Sequence, residues 1–462
     1  MTTYQPPPRG FRTFRILWLT QSVSVFGSAL TYFAINIWLA QSMYPLPAQK
    51  RLLAWSISAV SLAFVLPTFI APLAGAWADR HDRKRIMIVM DLLSTCLSST
   101  LAWLLLEHRL AIAPLLILTV LFALAAQFHG AAFDTCYSML VTREQLPRAN
   151  GMMQTMWYLS SMASPAVAAL IISAPALLRH TSSPSLIPHW LRAMPNGMPL
   201  VVCVDAVTFL MAALTMTMLH VPSPERHDLM HADGITRKSI WDDVRDGARF
   251  VLQRKPLVWL LSTFAVVNFA AAPAMVLVPL LVKYQYAADW ARRHYTFAAA
   301  LGLLATIASV GGFAGGLVVS LWGGLRRRRV AGILLPLTAN CALIVVYATT
   351  HSYPTAVVLT FCIMATGPIA NAHSQAIWQG ETPPPMQGRV FSVRRLIAQF
   401  TAPLSTSVAG WAAGLYGASP VVAGMGLFGA VCCAVQWLNP VIWQAGTGSE
   451  GGAALTTGHA VE

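Results

Sequence analysis

Charge is what this chain has least of. Only 10% of its 462 residues are Asp, Glu, Lys or Arg, while 56% are hydrophobic; soluble globular proteins carry roughly 25% charged residues. So little polar surface cannot cover a water-exposed domain of this length, so much of the surface must face lipid. A separate soluble domain is also excluded, because the longest polar stretch, Val221 to about Pro256, is too short to bury a core. Cysteines are few and unclustered. Cys96, Cys136, Cys203, Cys341, Cys362, Cys432 and Cys433 all fall in apolar runs without metal-ligand spacing, and read as small packing residues. No Gly-xxxx-Gly-Lys-Ser/Thr loop is present, so P-loop nucleotide hydrolysis is excluded and no cofactor is expected.

What the chain does have is long apolar runs. In lipid the backbone must satisfy its own hydrogen bonds, which leaves helices or a closed barrel. Barrel strands read as alternating segments of about ten residues; these runs are continuous and about 20 residues or longer, the length of a spanning helix. Twelve are expected, at 14–42, 52–77, 86–106, 112–140, 150–175, 199–220, 257–284, 295–322, 330–350, 354–379, 389–416 and 419–443. The first, from Ile16 to about Ala40, is too long for the apolar core of a cleavable signal. Gly424-x-Gly426-x-x-Gly429 matches a dinucleotide fingerprint but lies inside an apolar run, so it reads as helix packing. The overlapping glycine pairs at Gly311, Gly312, Gly315 and Gly316 read the same way.

Cationic side chains set the orientation. With the N-terminus in the cytoplasm, 23 of the 31 Lys and Arg residues fall on the cytoplasmic side and eight outside. The net charge of +14 therefore anchors an anionic leaflet. It is spread over six loops, which argues against nucleic acid as a partner.

The halves repeat. Trp18 and Trp259 are 241 residues apart, as are Gly75 and Gly316; Pro147 and Pro165 recur as Pro385 and Pro403. The expectation is an all-α membrane protein with six-helix bundles at 1–220 and 257–443. A cytoplasmic linker at 221–256 and a disordered tail at 444–462 complete it. The linker holds one amphipathic helix, capped by Ser239, with Ile240, Val244, Val251 and Leu252 near one face. Parallel repeats of this kind place the substrate site between them at the midplane.

The segment Gly75-Ala-Trp-Ala-Asp79-Arg80-His-Asp82-Arg83-Lys84 resembles the signature loop of the major facilitator superfamily: Gly, three residues, Asp-Arg, one residue, Gly, then two basic residues. Asp82 stands where the pattern has glycine. Gly316-xxx-Ser320-Leu321-x-Gly323 is a worn copy in the second half. The resemblance implies the major facilitator fold, a monomer working by alternating access, and a latch formed by Gly75, Asp79, Arg80, Arg83 and Asp134. In that latch Gly75 permits close helix approach, Asp79 meets a helix N-terminus, and Arg83 pairs with Asp134. Phe14-Arg15-Ile-Leu-Trp18, Leu146-Pro-Arg-Ala-Asn150-Gly-Met-Met-Gln154, Asp242-Asp243-Val-Arg245-Asp-Gly247 and Gly388-Arg389-Val-Phe391-Ser-Val-Arg394-Arg395 resemble the macrolide-efflux-like and siderophore-exporter-like branch of drug:proton antiporters. Two features depart from that branch. The antiporter glycines of the fifth helix are replaced by Ser160, Ser164, Ala168 and Ala169 around Pro165, and Ser28 stands where the first helix often carries an acid.

Ionisable groups inside spanning helices are functional candidates by default. They are Asp91, Asp134 and Asp205, as proton-coupling groups, with His129 and His373. Asp91 also fits a pairing with a nearby arginine, Asp205 a water-exposed helix end, and each histidine a satisfied interior position. Tyr32, Asn36, Gln127, Asn268, Asn371, Gln375 and Gln399, with Trp157 and Trp378 as walls, are the expected cavity lining; each also fits a role in interhelical packing. The leading expectation is export of hydrophobic or amphipathic small molecules by proton exchange from the cell membrane, with both termini cytoplasmic. An importer of the same fold, or a membrane enzyme or receptor without transport, are the alternatives.

Overall fold

In a computed structural model, residues 7, 9–78, 81–142, 145–179, 194–219, 221, 240–325, 328–383 and 387–445 are described; all regular structure among them is helical. The chain divides into two compact units. One comprises residues 1–233 with 290–306, the other 234–289 with 307–462. Eleven helices among the described residues are long and apolar enough to cross a membrane.

The first unit contains α1 (Gly10–Trp38), α2 (Lys50–Val65), α3 (Ala71–Ala78), α4 (Arg83–Leu106), α5 (Ile112–Leu140), α6 (Leu146–Arg179) and α7 (Met198–Met218). The apolar run expected as one helix at 52–77 is broken: a 3₁₀ turn at Leu66–Ile70 separates α2 from α3. Pro67 lies inside that turn and has no N–H to give to a continuous α-ladder. Helix α7 packs on α1 and α4, and α6 on α1. Phe14 and Leu17 of α1, Met87 of α4, Cys136 and Leu140 of α5, Met156 of α6 and Met216 of α7 form one buried cluster. Lys84, at the start of α4, donates through Nζ to the Thr217 and Leu219 carbonyls at 3.0 and 2.8 Å. It thereby satisfies carbonyls that the end of α7 would otherwise leave free.

The second unit contains α8 (Ile240–Leu252), α9 (Lys255–Val276), most of α10 (Phe297–Trp322), α11 (Ala331–Thr349), α12 (Tyr353–Glu381), α13 (Gln387–Tyr416) and α14 (Ala418–Trp437). Helix α13, with 30 residues, occupies the segment read as the eleventh span. Pro336, Pro368 and Pro403 lie inside α11, α12 and α13 without ending them. The linker helix α8 packs on α13 and buries Phe250 and Val251 in the unit's core. The expected face is corrected here, because Leu252 is 71% exposed and Phe250 takes the inward position. Ser239, Asp79, Arg80 and residues 446–462 lie outside the described residues.

The repeat is written in the helix ends. Helices α5 and α12 are both 29 residues long, and both their first residues, 112 and 353, and their last, 140 and 381, are 241 apart. A five-residue π-helical turn closes the first hairpin of each half, at Leu39–Met43 and Leu281–Gln285. Glycines set the helix contacts of the second half. A Cβ on Gly429 would stand 2.7 Å from Cys341 Sγ and 2.8 Å from Ala270 Cβ. Added Cβ atoms on Gly311 and Gly315 would run into the carbonyls of Phe361 and Ala365 on α12. Close backbone approach is how helices associate where lipid removes the hydrophobic drive between them.

Candidate functional site

The signature segment begins at the end of α3. Among the described residues nothing lies within 4 Å of where a Gly75 Cβ would stand. Asp82 is the N-cap of α4, accepting from the Lys84 and Arg85 amides at 2.9 and 3.2 Å. The departure from glycine at this position therefore has a local cause: a carboxylate here holds two amides that a helix start leaves free. The Arg83 guanidinium reaches α5, donating to Met139 Sδ at 2.8 Å; Asp134 lies on the same helix and is exposed.

The two remaining intramembrane acids are buried. Asp205, on α7, is 1% exposed; the water-exposed helix end is corrected. Its Oδ2 accepts from Ser98 of α4 at 3.0 Å and its Oδ1 from Ser28 of α1 at 3.3 Å. Among the described residues no cationic nitrogen lies within 4.0 Å of it. Gly27 makes the seam possible: a Cβ there would stand 3.0 Å from Asp205 Oδ1 and would overlap Thr208 Oγ1. Ser28, the residue that stands in place of a first-helix acid in the resemblance, thus meets a carboxylate from another helix.

Asp91, on α4, is likewise 1% exposed. Its Oδ1 lies 3.3 Å from Nε2 of His129 on α5. The partner is a histidine, and the expected nearby arginine is replaced by it. Asp91 Oδ2 is buried and makes no hydrogen bond among the described residues. His373 is the opposite case. Its Nε2 accepts from the Leu325 amide at 2.8 Å and its Nδ1 meets the Ile369 carbonyl at 2.7 Å. Both ring nitrogens are used, which fixes the Nδ1–H tautomer and makes it a satisfied interior residue closing the Gly323–Gly324 turn.

The cavity candidates separate between the units. In the first, Tyr32 and Asn36 are one turn apart on α1, with Asn36 Nδ2 donating to the Tyr32 carbonyl at 3.0 Å. Tyr32 meets Phe64 with ring centroids 5.3 Å apart, Gln127 is half-buried on α5, and Trp157 is exposed on α6. In the second, Asn268 and Asn371 line one cavity of about 260 Å³ together with Phe264, Asn340, Trp378 and Arg394. Gln375 joins through Arg394, whose Nη1 donates to its Oε1 at 2.6 Å. Gln399 lies on α13. Sequence reasoning missed Arg394 as a lining residue and Asn340 altogether; the only signal for Asn340 was an amide in the middle of an apolar run.

The sequence profile of the Major Facilitator Superfamily matches residues 17–406. Macrolide efflux protein A of Streptococcus pyogenes is 25% identical over 400 residues, which are 85% of this chain and 87% of that protein. Multidrug efflux pump Tap of Mycolicibacterium fortuitum is 25% identical over 369 residues, 77% of this chain and 80% of its own. Among solved structures, a bacterial homologue of the human lysosomal transporter Spinster superposes with a TM-score of 0.62 at 13% identity, over 96% of this chain and 98% of that one. The nucleoside transporter NupG gives 0.65 at 11% identity, over 91% and 98%. At those identities the likeness is one of fold.

Proposed function

The chain belongs to the Major Facilitator Superfamily and is a membrane transporter, not an enzyme; from that premise we propose that it exports small hydrophobic or amphipathic compounds by alternating access, in exchange for protons. The observation that carries the exchange is Asp205, a buried carboxylate solvated by hydroxyls of two other helices and by no cation within 4.0 Å among the described residues. Burying an ionised carboxylate without a counter-charge is costly, and protonation removes the cost. We assign the exchanged proton to this carboxylate. Asp91 and Asp134 are the further candidates in the same unit. The names of the relatives, macrolide efflux protein and multidrug efflux pump, support the outward direction and a broad amphipathic substrate class. Gly75, Asp79, Arg80, Arg83 and Asp134 are the candidates for the cytoplasmic latch; Tyr32, Asn36, Gln127 and Trp157 are the cavity candidates of the first unit, and Asn268, Asn371, Gln375 and Gln399 those of the second. The protein acts as a monomer in the cytoplasmic membrane, because one chain supplies both halves of the carrier.

Proteoliposomes with an imposed pH gradient test this reading. Antiport moves substrate toward the acidic side, and Asp205→Asn abolishes that accumulation while leaving downhill exchange of labelled for unlabelled substrate intact. Accumulation toward the alkaline side would establish the importer instead. Gradient-driven accumulation that survives Asp205→Asn would remove Asp205 from the proton path.

A further inference from the structure

The cavity of the second unit holds a positive charge with no carboxylate within 4.0 Å of it among the described residues. Arg394, half-buried on α13, donates to Gln375 Oε1 at 2.6 Å and to Ser374 Oγ at 3.2 Å. Its guanidinium carbon lies 5.5 Å from the ring centroid of Trp378. All three partners are neutral. The four helices that line the cavity, α9, α11, α12 and α13, contain one acid between them, Glu381, the last residue of α12. Among the described residues no carboxylate lies within 4.0 Å of the guanidinium. Taking a guanidinium out of water is costly unless a counter-charge and hydrogen bonds replace its hydration.

Asn340 lines the same cavity. Asn340 is 8% exposed. Its Nδ2 is spent on the Ile363 carbonyl and Thr366 Oγ1 at 2.9 and 2.8 Å, while its Oδ1 is buried and makes no hydrogen bond among the described residues. The cavity thus offers a fixed cation, the exposed amides of Asn268 and Asn371, and an apolar wall of Leu261, Phe264, Val267 and Leu337. Gly367 keeps its side open, since nothing lies within 4 Å of where its Cβ would stand.

We propose that this cavity binds the carboxylate end of an amphipathic organic anion, with Arg394 as the anchor. The planar fork of a guanidinium matches a carboxylate in two parallel hydrogen bonds, and the aromatic wall takes the apolar body. The volume of about 260 Å³ suits one such end group, just below the usual range for whole drug-sized ligands. The inference rests on the reading of the chain as a carrier of amphipathic compounds and narrows it: organic cations are disfavoured at this site.

The full-length protein in nanodiscs of uncharged phosphatidylcholine, titrated with naphthylacetate and with its cationic counterpart naphthylmethyl-trimethylammonium, provides the test. The wild type binds the anion about tenfold or more tightly than the cation, the scale of one charge-assisted contact. Arg394→Gln brings the ratio to about one, Arg394→Lys retains part of it, and Asn371→Asp lowers it by placing a carboxylate at the cavity wall. A wild-type ratio of one or less overturns the proposal, as does a ratio unchanged in folded Arg394→Gln. If Arg394→Gln does not fold, an unchanged ratio in Asn371→Asp has the same force. Phosphatidylglycerol that displaces naphthylacetate reassigns the site to a lipid head group and overturns it as a substrate site. Flux in proteoliposomes separates the two readings. Anion binding without movement of either probe upholds the site and sinks the transport function. Driven movement of the cation without anion preference does the reverse.

Discussion

At the level of single side chains, Asp82 shows how a family signature can be broken without loss. As an N-cap it accepts from two amides; its contact with Arg85, at 3.8 Å and with the arginine 86% exposed, adds little. Asp82→Ala is expected to lower stability by about 1 kcal/mol, and Asp82→Gly, which restores the signature, by only a few tenths, because glycine is tolerated at the cap. Thermal unfolding of the two variants in detergent ranks them, and equal losses would count against the capping role. Gly27 has the opposite tolerance. Its Cβ would overlap Thr208 Oγ1 and press on Asp205, so Gly27→Ala is expected to cost about 1–3 kcal/mol by overpacking. Thr208→Ala in the same chain relieves part of that loss, which a melting-temperature comparison reads directly.

Between helices the informative object is the pair of Asp91 on α4 and His129 on α5. A buried carboxylate and a half-buried imidazole in contact depend on each other, so Asp91→Asn and His129→Gln are expected to be non-additive. The coupling energy in a double-mutant cycle on unfolding should be about 0.5–3 kcal/mol; a sum within error would mean the two groups do not interact. This pair also marks where sequence reading stops. Both residues stood out as ionisable groups in apolar runs, because each such group is rare in a membrane helix. Their partnership did not, because 38 residues and a loop separate them and no periodicity relates one helix to its neighbour. The same holds for Ser28 and Asp205, 177 residues apart. Helix existence was legible from apolar length, and the repeat from recurring Trp and Pro positions. Helix faces were not legible, since lipid and core are equally apolar and leave no amphipathic stripe. The linker helix α8 shows this even near water: Val251 is buried as expected, Leu252 is not, and packing against α13 takes Phe250 instead, which lies about 100° to the other side of Val251.

For the molecule as a whole, the distribution of charge and the repeat constrain the same quantity, the number of crossings. The 29-residue helices α5 and α12 and the π turns at Leu39–Met43 and Leu281–Gln285 fall at equivalent places in the two halves. Equivalent helices in a parallel repeat run in the same direction, which requires an even number of crossings per half. Placing 23 of 31 cationic residues on one side then sets which side that is, since cytoplasmic loops hold the excess. Both ends of the chain should therefore face the cytoplasm. After replacement of the seven native cysteines, single cysteines introduced at residue 3 and at residue 455 should react with a membrane-impermeant maleimide in inside-out vesicles and stay unreactive in intact cells. A cysteine in the loop after α4, beside Arg109, should show the reverse. Termini that react from opposite sides would leave the halves antiparallel, and the correspondence of α5 with α12 would then have no structural meaning.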